Sequence, residues 1–550
     1  MPAGPTVHGA GGGGAGGEGG IGGGGVSQGR SARRNAFVIM GAILGSRVLG
    51  LVREVVLNAV IGPGMVLDAF YAAFRIPNLL RDLFAEGALS TAFVTVFSKK
   101  LAGGSREAAF RLANQVLVAL MLTMVGICVV GMVFSPQLVS WLNPGFAETE
   151  GKMELTSALT RMLFPFIALV SFAAVFMGLL NSLGSFGLPA SASTVFNAVS
   201  ILTGLTLAWW MDPKFGEGSI YGFAGGTLLG GLAQWLVLVP RAVRFGYHPA
   251  WVVDWRDQGF REVIQLMVPA VVGGAAVQVN VLVNGYFASF LGDGAVTWLN
   301  NAFRLMQLPI GLFGVAIATV TLPEVSRLMA GEQRSAFRGN VSEALRRLFF
   351  LNFPASVGLF LLAEPVIRVV FERGAFTAED TEATARVLQA YAIGLGGYGG
   401  IKVLAPTFAA LRKAWIPMRV SLLGIGLNVG LNLLFLTVLK LGVAGLALAT
   451  SSVALLNFGQ LAWALRREVG NVLDRETCGS WFRVVVAGLV MGLVVGWMNG
   501  RWEVGPFWWN AFGLGLTIAV GLGVYGATSW VLGIEEFRGM VRGLVRRLRR

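Results

Sequence analysis

Apolar stretches of helix length recur along the whole chain, separated by glycine, proline and charge. They fall at about 35–60, 66–98, 110–134, 157–181, 187–211, 221–245, 259–290, 295–329, 342–364, 381–410, 415–440, 443–466, 480–500 and 507–533. A hydrocarbon core about 30 Å thick is crossed by roughly 20 apolar residues in helical form, so the pattern predicts an all-α polytopic membrane protein with about 14 transmembrane helices. The division between the seventh and eighth stretches rests on Gly292, Asp293 and Gly294.

Some stretches carry polar residues that lipid does not tolerate. In the second, Asp68, Tyr71, Arg75, Asn78, Asp82 and Glu86 step by three or four and share one helical face, with Arg81 on its flank. In the first, Arg47 and Glu54 stand seven apart on one face, with Ser46 and Arg53 beside them. Arg304 and Lys402 lie in later stretches. An arginine at the centre of a spanning helix costs about 2.5–3.5 kcal/mol on insertion scales, so such residues face a wet interior or a partner. Bases outnumber acids across this set. Arginine suits phosphate, because its planar fork donates two parallel hydrogen bonds and stays charged. Glu54, Asp82 and Glu86 fit either helix-locking ion pairs or function. Arg47, Arg53 and Arg304 have no adjacent acid for each of them, which favours contact with an anionic substrate. Lys402 stands near a basic loop toward which it could snorkel.

Composition narrows the class. The chain is 55% hydrophobic and 13% charged, and its mean hydropathy is +0.68; soluble proteins carry about 25% charge, so a soluble multi-domain reading fails. A net charge of +14 could suggest nucleic acid, but the basic residues recur in alternate short loops. With a cytoplasmic N-terminus, about 29 of the 43 lie on the inner side, which predicts both termini inside. Residues 1–34 read as a disordered Gly-rich basic tail, and 534–550 as a basic C-terminal tail with a short helix that could lie against anionic lipid. Cys128 and Cys478 offer neither a disulfide framework nor metal spacing. No P-loop motif occurs. Two G-x-G-x-x-G matches, at Gly394 and Gly521, sit inside apolar spans and read as helix-packing glycines. His8 and His248 are too few for a triad or metal site. The expectation is a transporter of an anionic substrate, not an enzyme, with no cofactor. Prolines inside spans (Pro77, Pro165, Pro269, Pro309, Pro354, Pro406) bend helices, as a rocking transporter needs, but they are common in membrane helices generally.

A duplication is visible at an offset of 229 residues: Ala73-Phe74-Arg75 followed by Leu83-Phe84 matches Ala302-Phe303-Arg304 followed by Leu312-Phe313. Six spans separate the copies, the arrangement of parallel repeats. The expected domains are two six-helix lobes, 35–245 and 246–466, then two C-terminal helices within 467–533. Arg75 and Arg304 would then face one central cavity.

Ser46-Arg47-Val48-Leu49-Gly50-Leu51-Val52-Arg53-Glu54 resembles the opening motif S-R-x-L-G-x-x-R-[DE] of the MurJ (MviN) family. Asp68-Ala69-Phe70, then Phe74-Arg75-Ile76-Pro77-Asn78-Leu79-Leu80-Arg81 and Phe84-Ala85-Glu86-Gly87-Ala88, resemble its second signature. Arg304-Leu305-Met306 with Pro309 and Gly311, and Lys402-Val403-Leu404-Ala405-Pro406, look like its later motifs. The likeness covers about 35–533.

It implies a lipid II flippase of the multidrug/oligosaccharidyl-lipid/polysaccharide exporter superfamily, in the bacterial cytoplasmic (inner) membrane. Such a protein carries the undecaprenyl-pyrophosphate-linked peptidoglycan precursor outward by alternating access. The implied pyrophosphate or cavity residues are Arg47, Arg53, Arg304, Arg81, Arg75 and Lys402. Ser46, Glu54, Asp68, Asn78, Asp82 and Glu86 are the cavity or gating set, and the last two spans would cradle the lipid tail. The chain departs from the family at Glu54, where Asp is common, at Phe303, where an acid is frequent, and at Thr95, where proline is usual. Some relatives bind sodium; the groups available here are Asn280, Asn284, Asn428, Asn432 and Thr450, a weak site without a carboxylate. Partners implied are lipid II, membrane lipid and the cell-wall or division machinery. The alternatives are export of another polyprenyl-linked glycan or a drug, a non-transporting cell-wall scaffold, and a glycosyltransferase. A drug-cation cavity should be acidic, and a glycosyltransferase should carry a carboxylate-rich loop.

Overall fold

The computed structural model describes residues 24–81, 89–502 and 504–548, and every regular element among them is helical. The first half comprises α1 (Gly24–Val60), α2 (Met65–Arg81), α3 (Ser90–Ala102), α4 (Arg106–Val133), α5 (Ser135–Leu142), α6 (Lys152–Leu163), α7 (Phe166–Ser182), α8 (Gly187–Met211), α9 (Ser219–Leu236) and α10 (Val239–Arg244). The second comprises α11 (Gln258–Ala288), α12 (Ala295–Pro309), α13 (Val315–Ala330), α14 (Arg334–Leu361), α15 (Ala363–Phe371), α16 (Ala378–Ile393), α17 (Leu395–Ala410), α18 (Trp415–Leu433) and α19 (Gly442–Val469). Then follow α20 (Arg475–Asn499), α21 (Phe507–Val531) and α22 (Glu535–Leu548).

Among the described residues, ten helices are long and apolar enough to cross a membrane. The other four predicted stretches form α1, α2 with α3, α11, and α16 with α17. All four hold charged or amide groups singled out above. Two boundaries differ from expectation. Helix α1 begins at Gly24, inside the tail expected to be disordered. Once a long helix exists, each further residue adds a hydrogen bond without a nucleation cost, so Gln28 to Arg34 extend it. The second stretch is not one described helix: α2 ends at Arg81 and α3 starts at Ser90, with Asp82 and Glu86 outside the described residues.

Packing shows where the halves meet. One buried core unites α1, α2 and α6 with α12, α15, α16 and α19 through Leu57, Phe70, Leu163, Leu305, Phe371 and Leu388. It lies at the end carrying the acidic loops. At the basic-loop end there are two separate cores, one around Phe93, Phe97 and Leu112, the other around Phe337, Leu345 and Phe408. Helix α11 of the second half also packs on α3 and α4 of the first. Its start packs Phe260 and Val263 into the first of these cores, while its later part meets α18 and α19. One π-helical turn, Ile310–Gly314, interrupts a span between α12 and α13, and another, Leu434–Val438, closes α18. The first follows Pro309, whose missing N–H and bulky ring disturb the helical ladder.

Candidate substrate site between the two halves

Glu54 of α1 is the centre of the site. Its carboxylate is almost wholly buried and pairs with two guanidiniums, Arg53 Nη2 at 3.0 Å and Arg304 Nη2 at 2.8 Å. The Tyr71 hydroxyl donates to its other oxygen at 2.5 Å. One turn on, Asn58 donates to the Glu54 carbonyl and exchanges hydrogen bonds with Asn301 of α12, at 3.1 and 2.7 Å. Residues from α1, α2 and α12 are thus tied across the halves. Arg53 is further flanked by the rings of Phe74 and Phe196, with centroids at 5.9 and 5.3 Å.

The charge does not balance. Two guanidiniums share one carboxylate, and Arg53 Nε and Nη1 and Arg304 Nε are buried without a hydrogen-bond partner. Unpaired buried donors on a cation are costly, and an anion brought to them recovers that cost. The sequence offers too few acids to neutralise each of these arginines, and in the structure Glu54 alone serves both Arg53 and Arg304. Contact between Glu54 and Arg304 depends on how α1 packs on α12, which adjacency in the chain does not reveal.

Arg47 and Lys402 gather on the π-helical turn that follows Pro309. A Cβ added at Gly311 would stand 2.2 Å from Arg47 Nη1, so the exposed Arg47 guanidinium lies directly on that glycine. Lys402, also exposed, has its Cβ 3.8 Å from the equivalent point on Gly314. Ser46 is half-buried and its carbonyl accepts from Asn197 at 3.1 Å. The structure therefore brings Arg47, Arg53 and Glu54 of α1 and Lys402 of α17 against Arg304 and the π-helical turn after α12, and places other candidates elsewhere. Arg75 reaches across to α11, its Nη1 2.4 Å from where a Cβ on Gly285 would be. Arg75 of α2 thus touches the first helix of the second half, and Arg304 of α12 touches the first helix of the first half. Asn78 is half-buried on α2, and Arg81 ends that helix.

Asp68 belongs to a separate lock at the acidic-loop end. Fully buried, it accepts from the backbone N–H of Gly294 at 2.8 Å and of Thr297 at 2.9 Å, and from the Thr297 hydroxyl at 2.7 Å. These are orphan donors at the start of α12, so Asp68 caps a helix of the opposite half. Lys152 Nζ, 1% exposed, bridges Asp68 at 3.1 Å and Asp293 at 2.7 Å and lies over the Phe146 ring. The hydrophobic pattern puts Lys152 in the loop between the stretches at 110–134 and 157–181. Its partners are 84 and 141 residues away, so no local pattern could reveal it. Asn58, by contrast, stands four residues after Glu54 on the same face, and that spacing was available to find it.

The amide groups considered for sodium form their own cluster. Asn284 Oδ1 accepts from Asn428 at 2.8 Å and Asn432 at 3.2 Å, and its Nδ2 donates to Thr450 at 2.8 Å. The Oδ1 atoms of Asn280, Asn428 and Asn432 are buried without partners. No group of three His, Cys, Asp or Glu suited to a metal occurs among the described residues.

Two helical halves joined at one end, with a cationic site between them, define a polytopic transporter. A family profile described as Lipid II flippase MurJ matches residues 57–513. The chain is 35% identical over 516 residues to the "Probable lipid II flippase MurJ" of Vibrio cholerae, covering 91% of this chain and 96% of that protein. It is 32% identical to the "Lipid II flippase MurJ" of Burkholderia cenocepacia, covering 85% and 91%. The chain belongs to the MurJ family. In structure it is similar to a lipid II flippase MurJ in an inward closed conformation, with TM-score 0.75, 25% identity and coverage of 92% and 100%. It shares its fold with an inward-facing multidrug resistance MATE family transporter of the MOP superfamily, at TM-score 0.65 and 14% identity, covering 78% of this chain and 98% of that one.

Proposed function

We propose that this protein carries the lipid-linked peptidoglycan precursor lipid II from the inner to the outer leaflet of the bacterial cytoplasmic membrane, with both termini cytoplasmic. One observation carries the reading: the buried Arg53 and the half-buried Arg304 share a single carboxylate, and each keeps a buried N–H without a partner. A diphosphate supplies the missing negative charge and the acceptors, and Arg47 and Lys402 on the neighbouring turn add charge at the exposed side. The lock at Asp68 and Lys152 keeps the acidic-loop end shut while the headgroup enters from the basic end. Parting Asp68 from the start of α12, and Lys152 from Asp293, lets the halves rock to the other state. An interior-negative potential assists, since each negative charge moved outward gains about 2.3 kcal/mol per 100 mV. Helices α20 and α21, packed outside α14, suit the polyprenyl tail.

The test is lipid II translocation in proteoliposomes with Arg53→Ala and Arg304→Ala. Both variants should lose translocation by tenfold or more while reaching normal membrane levels, and should fail to complement a flippase-depleted bacterium. Wild-type translocation in both would remove the assignment. Equal loss for another polyprenyl-diphosphate glycan, with lipid II itself never moved, would select the alternative exporter. Growth supported by variants that cannot transport would select a scaffold in the cell-wall machinery.

A further inference from the structure

The last helix is built to leave the protein. Helix α21 closes on Gly533, at φ +65°, with the Gly533 N–H donating to Trp530 O at 3.1 Å and the Ile534 N–H to Ser529 O at 3.0 Å. This Schellman closure turns the chain sharply, and the buried Ile534 seals it against the core of α14, α20 and α21. Helix α22 starts at once and is anchored through its first turn. Glu536 stands 3.3 Å from Arg346 Nε of α14, which also pairs with Glu476, and accepts from Ser480 Oγ at 3.1 Å. Phe537 packs against Phe350 and Trp530.

Beyond that anchor little is covered among the described residues, Val541 alone being half-buried. Met540 and Val545 follow Phe537 on one side of the helix, and both are exposed, at 53% and 40%. Arg538, Arg542 and Arg546 recur every fourth residue along the adjoining face, are exposed, and have no ion pair among the described residues. Trp530, at the end of the spanning helix, is also exposed, as aromatic residues at a bilayer interface are. An uncovered apolar side flanked by a basic row, beginning where a spanning helix ends, has the chemistry of a helix lying in the headgroup layer.

We propose that α22 lies in the plane of the membrane and binds the anionic lipid of the leaflet at which α21 ends. The basic row faces lipid phosphates, the apolar side enters the acyl boundary, and Glu536 and Phe537 fasten this surface sensor to α14 in the second half. The occupant is anionic lipid because the uncovered face combines unpaired arginines with apolar side chains. The inference goes beyond transport and holds whichever polyprenyl lipid the central site takes. Each arginine near an anionic surface is worth about fivefold in partitioning, so three are worth on the order of 100-fold.

The experiment is amide hydrogen exchange on the full chain in nanodiscs of phosphatidylcholine alone and of phosphatidylcholine mixed with phosphatidylglycerol. Exchange at 538–546 should slow by roughly tenfold or more in the anionic discs. The triple variant Arg538→Gln, Arg542→Gln, Arg546→Gln should lose that difference while α20 keeps its protection, since Glu536 and Phe537 remain. Equal exchange in both lipids overturns the proposal. So does protection that persists in lipid-free detergent, or that rises with protein concentration, because either assigns the face to a protein partner or a second copy.

Discussion

Glycines at the site separate positioning from stability. At Gly311 an added methyl would meet only the tip of the Arg47 side chain, which can swing away. Gly311→Ala should therefore keep the thermal midpoint within a degree or two yet reduce lipid II translocation severalfold, because the displaced guanidinium leaves the turn. Gly374 is different. Its φ is +61°, and a Cβ there would lie 2.1 Å from the Ala59 carbonyl, where α1 ends against the loop before α16. Ala375 N–H donates to the same carbonyl at 2.8 Å. Gly374→Ala meets rigid backbone and an unfavourable left-handed conformation, so it should cost about 1–3 kcal/mol, read as a lowered unfolding midpoint in detergent. A variant as stable as the parent would refute the seam between the halves.

Among the elements, helix starts are where polar chemistry is spent on structure. Asp380 closes a capping box with Thr377 at the head of α16 and also accepts from the Trp298 indole of α12 at 2.9 Å. Asp474 caps α20 outside the membrane, accepting from Thr477 N–H at 2.8 Å. That backbone hydrogen bond holds its carboxyl below the ordinary range. A depressed carboxylate stabilises the folded state above its unfolded value, about 3.9, and the contribution fades as pH falls through the folded value. Asp474→Ala should therefore raise amide exchange in the first turn of α20 at pH 7, by an amount near 1 kcal/mol, and the gap from the parent should shrink below about pH 4. A gap independent of pH would show that charge is not involved. The amide cluster of α11, α18 and α19 is read at this scale too. It has no carboxylate to offset a cation's charge, and Asn284 Oδ1 already accepts from both Asn428 and Asn432, so we expect lipid II translocation to be unchanged when sodium is replaced by choline. A fall of tenfold would make the cluster an ion site.

For the whole molecule, the arrangement of cores matters more than any single bond. One core spans both halves at the acidic-loop end, and each half has its own at the basic-loop end. Such a body can rock only by exchanging buried surface at one end for surface at the other. The Asp68 and Lys152 lock lies at the joined end and the Glu54 cluster ties the same halves. On the proposed transport, movement of the substrate is coupled to loosening both, and an interior-negative potential imposed on proteoliposomes should speed outward transport severalfold.

The amino-acid pattern alone determined a great deal. Apolar period and length dictate helices in a bilayer, alternating basic loops predict their direction, and charges too costly for lipid mark α1, α2 and α12 as facing something polar. Glu54, Arg53 and Arg47 could be placed on one helix because helical spacing is local. What the residues are for was settled in space. Glu54 serves Arg304 from 250 positions away, Asp68 caps a helix of the other half, and Lys152 leaves its expected loop to lie between two carboxylates. Periodicity places side chains around a single axis; only packing one axis against another decides which opposite charges meet, which donors remain free, and hence where an anion can be held.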